Sequence, residues 1–202
     1  MSKPVKRLTI ALWIAAVAGM VFVVAMQLSN RDRTDGAIDT PITAPDFALT
    51  DQLGRTVTTA GLRGRPWIAD FIFTECASAC PIMSHRLSEL QSKIPANVKF
   101  VSFSVDPERD TPPVLLAYAK QYNADNDRWR FLTGPKDRVF AAIAGMKVAI
   151  IPATKDNPLE HDIHYLLIDS AGRMYHAYDS RYPAQVDQLV TDAKALAAEQ
   201  SP

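Results

Sequence analysis

The sequence predicts an α/β domain, with a mostly parallel β-sheet flanked by helices, that follows a single N-terminal transmembrane helix. Three observations predict it. From Leu8 to Asn30 the chain carries no charged side chain. Further along, apolar runs typical of buried strands alternate with segments whose apolar residues recur at helical intervals. Residues 45–202 are also enough for one domain with its own core.

The N-terminal apolar segment is long enough to cross a membrane. A helix of about 21 such residues spans the roughly 30 Å hydrocarbon core of a bilayer, and we assign residues 8–28 to it. Lys3, Lys6 and Arg7 precede the segment. By the positive-inside rule they keep residues 1–7 in the cytoplasm and place the rest of the chain outside.

Other targeting signals fit this segment less well. A cleaved signal peptide has an apolar region of about 7 to 15 residues and a small-x-small cleavage site, and AMQLSNRD offers no good one. The chain has no cysteine near the end of the apolar run, which argues against a lipoprotein. It also has no Arg- and Ser-rich presequence, which argues against mitochondrial import. We therefore expect a single-pass protein of the bacterial inner membrane with its C-terminal domain in the periplasm.

Residues 29–44, SNRDRTDGAIDTPITA, are polar and carry Gly and Pro, which is typical of a tether. Over the whole chain, 22 acidic residues balance 22 basic ones, without a basic cluster beyond the N-terminal flank. This charge pattern argues against nucleic-acid binding.

The first half of the domain contains the elements around the cysteines. PDFALTDQLGRTVT predicts a short strand pair about Gly54, and PWIADFIF, residues 66–73, predicts a strand buried on both faces. Behind Pro81, apolar residues at helical intervals predict a helix that begins at or just before Cys80. These apolar residues are Ile82, Met83, Leu87, Leu90 and Ile94.

The second half continues the alternation. VKFVSFSV predicts a strand, VLLAYAKQY a helix capped by Asp110 or Thr111, RWRFLTG a strand, and PKDRVFAAIAG a helix ending at Gly145. Residues 163–169 and 173–179 predict a hairpin, and a last amphipathic helix closes the chain. Its apolar face is Val186, Leu189, Val190, Ala193 and Leu196. This order is thioredoxin-like, with insertions.

Both cysteines of the chain, Cys76 and Cys80, lie in TECASACPIM directly after the buried strand. The positive end of the following helix is expected to lower their pKa and favour thiolate, which is both a nucleophile and a metal ligand. C-x-x-C redox motifs have two residues between the cysteines. The three residues that separate Cys76 from Cys80 make it easier for both sulfurs to bind one soft metal ion. A disulfide stays possible, although a structural one would restrain little of the unfolded chain.

DFIFTECASACPIM, followed by FVSFSVDPERDTPPVLLAYAKQY, resembles the Sco (SenC) proteins, which are membrane-anchored thioredoxin-fold proteins tied to copper delivery to cytochrome c oxidase. The similarity extends from APDFALTDQLGRTVT to the last helix. The family's T-x-C-x-x-x-C-P motif falls on Thr74, Cys76, Cys80 and Pro81, and its S-V-D-P-x-x-D-T-P motif falls on 104–112.

The resemblance implies a copper site formed by Cys76, Cys80 and a histidine eleven residues before Gly172, which is His161. Glu160 stands where many relatives have Asp. Two thiolates and an imidazole suit Cu(I) and can also hold Cu(II).

Zinc is the competing metal, since His164 would complete a Cys2His2 set. If the hairpin strand starts near His161, however, the two histidines point to opposite faces and do not converge on one ion. We expect His85 to be exposed, and His164 and His176 to be strand residues. Met83 and Met174 are expected to pack in the core and not to bind copper.

The loop from Asp106 to Asp110 follows a strand, and parallel strands would put it at the same sheet edge as the cysteines. Two roles remain open for Asp106 and Arg109. They serve either the turn and helix entry or a contact with the site or a partner.

Two function classes follow. The first is a copper chaperone that passes copper, in a transient contact, to the copper-receiving subunit of a respiratory oxidase. It would depend on an upstream copper donor or thiol reductant. The alternative is a thiol-disulfide oxidoreductase, with Cys76 and Cys80 as the redox-active pair, that reduces the cysteines of the oxidase copper site or of another partner.

A general thioredoxin-type reductase keeps a proline directly before the hairpin, where this chain has His161 and Asp162. A peroxidase is disfavoured because IFTEC lacks the upstream proline.

Overall fold

The computed structural model describes residues 13, 19–20, 42–77, 79–148, 150–151, 160–161 and 163–199. The predicted cytoplasmic terminus, almost all of the predicted transmembrane segment and most of the tether lie outside these residues. No helix among the described residues has the length and apolar character needed to cross a membrane. The described residues from 42 onward belong to one compact unit.

From residue 42 onward, the described chain forms nine strands and five helices. In chain order they are β1 Ala48–Asp51, β2 Thr56–Thr58, α1 Thr59–Leu62, β3 Trp67–Ile72, α2 Ala79–Lys93, β4 Lys99–Ser104, α3 Pro112–Gln121, β5 Trp129–Thr133, α4 Lys136–Gly145, β6 Ile150–Ile151, β7 Glu160–His161, β8 His164–Ile168, β9 Met174–Asp179 and α5 Pro183–Ala198. The strands and helices predicted for the domain after the tether are confirmed in type and order. The short elements α1, β6 and β7 were not predicted.

Seven strands form one sheet in the order β2-β1-β5-β4-β3-β8-β9. Only the β3–β4 and β4–β5 pairings are parallel, and the other four pairings are antiparallel. The prediction of a mostly parallel sheet is therefore wrong. Parallel neighbours need a crossover, which α2 and α3 supply at the centre, whereas tight hairpins build the two edges.

The interior strand β3 separates two apolar layers, and all six of its residues are buried. Ile68 and Ile72 face a layer that includes residues of α2, α3 and α5, whereas Trp67, Ala69 and Phe71 face a layer that includes residues of α4. Successive side chains of a strand point to opposite faces, so burial on both sides explains the continuous apolar run.

The β8–β9 hairpin turns at Gly172, where φ is +85°, a value that a side chain would strain. The chain before β1 pairs with this hairpin. The Ala44 N–H donates to the Gly172 carbonyl at 2.8 Å, and the Met174 N–H donates to the Ile42 carbonyl at 2.7 Å. Residues 42–44, which the sequence placed in the tether, therefore belong to the folded domain.

Candidate metal centre

Cys76 lies on the turn that follows the interior strand β3. β3 ends at Ile72, whose carbonyl accepts a hydrogen bond from the Val105 N–H at 2.8 Å. The Cys76 N–H then donates back to the Phe73 carbonyl at 3.2 Å, which closes a four-residue turn. The Cys76 side chain is half-buried at this edge of the sheet.

Cys80 is the second residue of α2 and is fully buried. Pro81 follows in the first turn, where a missing N–H costs no helical hydrogen bond. Met83 and Leu87 lie on the same face of the helix and anchor it to the core. The predicted helix start at the second cysteine is confirmed.

The two cysteines are thiols and share a hydrogen bond. Burial raises the pKa of Cys80, as does its hydrogen bond with Cys76, while a backbone hydrogen bond from Phe73 acts in the opposite direction. The predicted lowering of the Cys80 pKa at the helix start is therefore wrong, because burial of the thiol is the largest influence on its pKa and raises it. A half-exposed thiol beside a buried one can bind a soft metal ion by proton displacement or can close to a disulfide.

His161 lies in β7, where its backbone pairs with Ile150 of β6 in a two-stranded ladder outside the seven-stranded sheet. β8 begins at His164, as the predicted hairpin strand does to within one residue, so His161 and His164 lie on two different strands. The side chains of His161 and Glu160 lie outside what the structure describes. Within the described part of the chain, no group of three or more His, Cys, Asp or Glu side chains could hold a metal ion. A three-ligand site therefore needs a side chain from beyond it, and His161 stays a prediction.

The remaining histidines lie where the sequence predicted. The His85 side chain is 72% exposed and lies 3.5 Å from the Glu89 carboxylate. His164 is half-buried at the start of β8, and the His176 ring packs edge-on against Tyr178, with 4.7 Å between ring centroids. The two methionines considered as copper ligands, Met83 and Met174, are buried in the core.

The loop after β4 meets the cysteine turn, as expected for neighbouring parallel strands. Asp110 is 1% exposed, and its carboxylate accepts hydrogen bonds from the Thr74 N–H at 3.2 Å and from the Thr74 hydroxyl at 2.6 Å. The Ser104 hydroxyl donates to the same carboxylate at 2.5 Å. On the surface, Arg109 pairs with Asp106 at 2.9 Å and lies 3.9 Å from Glu75.

Sequence reasoning missed the contact between Asp110 and Thr74, because it treated Asp110 as a candidate helix cap. Thr111 occupies the N-cap position of α3, and its side chain makes no capping hydrogen bond. Burial raises the pKa of Asp110, whereas the hydrogen bonds from Ser104 and Thr74 oppose the shift. The motifs that contain Thr74 and Asp110 directly follow adjacent strands of the sheet. This position in the chain was the signal that could have revealed their contact.

A thioredoxin-like α/β domain that presents paired thiols at a helix start defines a thiol-based or metal-binding protein. The chain belongs to the SCO1/SenC family, whose model matches residues 35–198. The resemblance seen in the two motifs is thereby confirmed.

Similar proteins and solved structures support this family assignment. Over 154 residues the chain is 32% identical to the SCO1 protein homolog of Bacillus subtilis strain 168, a match that spans 74% of this chain and 80% of that protein. The structure of BsSco, a member of the Sco family of cytochrome c oxidase assembly proteins, matches with a TM-score of 0.68 and 32% identity, covering 80% of this chain and 98% of BsSco. Bradyrhizobium japonicum ScoI with copper bound matches with a TM-score of 0.64 and 26% identity, over 76% of this chain and 99% of that one.

Proposed function

We propose that this protein is a membrane-anchored periplasmic copper-binding protein that assists copper-centre assembly of cytochrome c oxidase. It holds copper through Cys76, Cys80 and His161 and passes it to the copper-receiving subunit of the oxidase. The observation that carries this proposal is the thiol pair, with one half-exposed and one buried sulfur in hydrogen-bond contact. Copper bound to another member of the family supports it.

Copper is the cargo of such a protein, and the geometry of the thiol pair favours its transfer. Thiolates suit Cu(I), which accepts low coordination numbers. Because Cys76 is half-exposed and Cys80 is buried, an incoming ligand from the acceptor reaches the metal from the Cys76 side. Ligand exchange then begins at the surface sulfur while Cys80 still holds the ion.

The membrane location is part of the same proposal. The apolar segment 8–28 and the basic residues before it support an anchor in the bacterial inner membrane, with the domain in the periplasm. In that oxidising compartment, the pair needs an upstream reductant to stay in the thiol form and an upstream donor to supply copper.

The hydrogen-bonded pair also favours a second function, thiol-disulfide exchange with a partner. The Cys76 thiolate would attack a partner's disulfide and release one partner thiol, leaving a mixed disulfide. Cys80 would then displace the second partner thiol and close the Cys76–Cys80 disulfide. Burial of Cys80 keeps its proton on and slows that second step.

A transfer assay separates the two functions. We load the reduced full-length chain in detergent with Cu(I) under anaerobic conditions and mix it with a soluble copper-receiving domain of the oxidase. We expect copper to move to the acceptor when its cysteines are reduced, with no change in the thiol count of this chain. Cys76→Ser is the control that lacks the surface ligand. Failure of copper to move to the reduced acceptor, combined with reduction of an oxidised acceptor's disulfide by the copper-free, reduced chain, would contradict the chaperone proposal and support the oxidoreductase.

A further inference from the structure

We infer that Asp110 is a positioning residue that fixes the turn carrying Cys76 and thereby sets how tightly the thiol pair binds copper. The inference deepens the proposed function and rests on it. Asp110 acts through Thr74, the second residue of the turn that the Cys76 N–H closes.

Asp110 accepts hydrogen bonds from both hydrogen-bond donors of Thr74. The backbone N–H lies 3.2 Å from one carboxylate oxygen of Asp110 and 3.3 Å from the other, and the Thr74 hydroxyl donates at 2.6 Å. A backbone donor and a side-chain donor on one residue restrain both its position and its rotation. Since the turn has only four residues, fixing its second residue also fixes the direction in which Cys76 leaves it.

Asp110 is itself held by the sheet. The Ser104 hydroxyl donates to it at 2.5 Å, and Ser104 is paired with Ile72 in the parallel β3–β4 ladder. The Asp110 N–H donates to the Asp106 carbonyl at 2.9 Å. The carboxylate therefore connects the last residue of β4 to the first turn after β3, and it transmits the rigidity of the sheet to the cysteine turn.

The outer contact between the same two loops cannot replace this one. Arg109 and Glu75 lie 3.9 Å apart with side chains 68% and 70% exposed. Exposed pairs of this kind contribute little to stability, because water and salt screen the charges. Asp110 is 1% exposed, so loss of its carboxylate leaves buried donors without their acceptor.

The test compares three variants in the full-length chain in detergent. Asp110→Asn weakens the acceptor, Thr74→Val removes the hydroxyl, and Thr74→Ser keeps both donors. The matched control is Asp51→Asn. Asp51 is also fully buried and also holds a loop, accepting from the Leu53 and Arg55 N–H groups, but it lies on β1, which β5 and β4 separate from β3.

The measurements are Cu(I) affinity by chelator competition, the rate of Cys76 alkylation by iodoacetamide without metal, and the free energy of unfolding. Residues that orient metal ligands typically change affinity by about 10- to 100-fold, and we expect a loss of about tenfold in Asp110→Asn and Thr74→Val. Cys76 alkylation should be several-fold faster in both, because the turn is looser. Thr74→Ser should behave like the parent protein.

The control distinguishes positioning from a general loss of stability. Asp51→Asn should lower the free energy of unfolding without changing copper affinity or Cys76 alkylation. If Asp110→Asn changed only stability, as the control does, the inference would be overturned. If the parent bound no copper, the proposed function would fail, and the alkylation rates would still decide whether Asp110 positions Cys76.

Discussion

Tight copper binding is expected to be lost when either Cys76 or Cys80 is replaced by serine. The two thiols are adjacent and hydrogen-bonded, and a hydroxyl is a poor ligand for a soft ion. Because loss of a residue that merely orients a ligand costs about 10- to 100-fold, loss of a ligand should reduce Cu(I) affinity by more than about a hundredfold. Chelator competition under anaerobic conditions measures this.

The two substitutions should differ in their effect on the fold. Cys76 is half-buried on a turn, so Cys76→Ser should leave the free energy of unfolding nearly unchanged. Cys80 is fully buried and packs with Met83 and Leu87, so Cys80→Ser places a hydroxyl in the core and should lower stability by about 1 to 3 kcal/mol. Copper affinity within a few-fold of the parent in either variant would contradict a site built on both sulfurs.

The second large effect concerns Asp70, a carboxylate within the otherwise apolar run of β3. It lies between Ile68 and Ile72 and so faces the same layer as Cys80. One carboxylate oxygen accepts a hydrogen bond from the Ser102 hydroxyl at 2.5 Å. The other is buried without a hydrogen-bond partner among the described residues. Burial raises the pKa of Asp70 from 3.8 to about 7, against the opposing hydrogen bond from Ser102.

This pKa predicts how stability depends on pH. Between about pH 4 and pH 7 the folded protein keeps the Asp70 proton, whereas the unfolded chain has lost it. The free energy of unfolding therefore falls as pH rises through this window and levels off above it. The full shift corresponds to about 4 kcal/mol. Asp70→Asn stays neutral, so it should match the parent near pH 4 and be more stable by up to about that amount at pH 8.

Denaturant unfolding of the metal-free, reduced protein across this pH range measures the effect. Asp187→Asn, an exposed carboxylate on α5, is the control and should follow the parent curve. Parallel curves for the parent and Asp70→Asn would show that Asp70 does not keep its proton in the fold.

The elements around the cysteines were predictable because local patterns determine them. The run in β3 reflects burial on both faces, and the apolar spacing after Pro81 reflects one buried face of α2. Strand direction was not predictable in the same way. It depends on how β1 meets β5 and how β8 meets β3, and no local pattern records these pairings between segments that are distant in sequence.

The site was predicted less completely than the fold. The motifs identified Cys76 and Cys80, but the raised pKa of Cys80 depends on burial by residues distant in sequence. The role of Asp110 likewise depends on Thr74, which is 36 residues away. The sequence specified which groups are present, whereas the tertiary packing determines which of them carry a proton or hold a turn.

The three-ligand copper site is tested most directly by anaerobic Cu(II) titration of the reduced full-length protein, followed by optical and electron paramagnetic resonance spectra of the parent and His161→Ala. We predict a single tight copper ion with thiolate charge-transfer bands and a nitrogen signal that is lost in His161→Ala but retained in His85→Ala and His164→Ala. Copper bound equally tightly in His161→Ala, with its nitrogen signal unchanged, would contradict the three-ligand site.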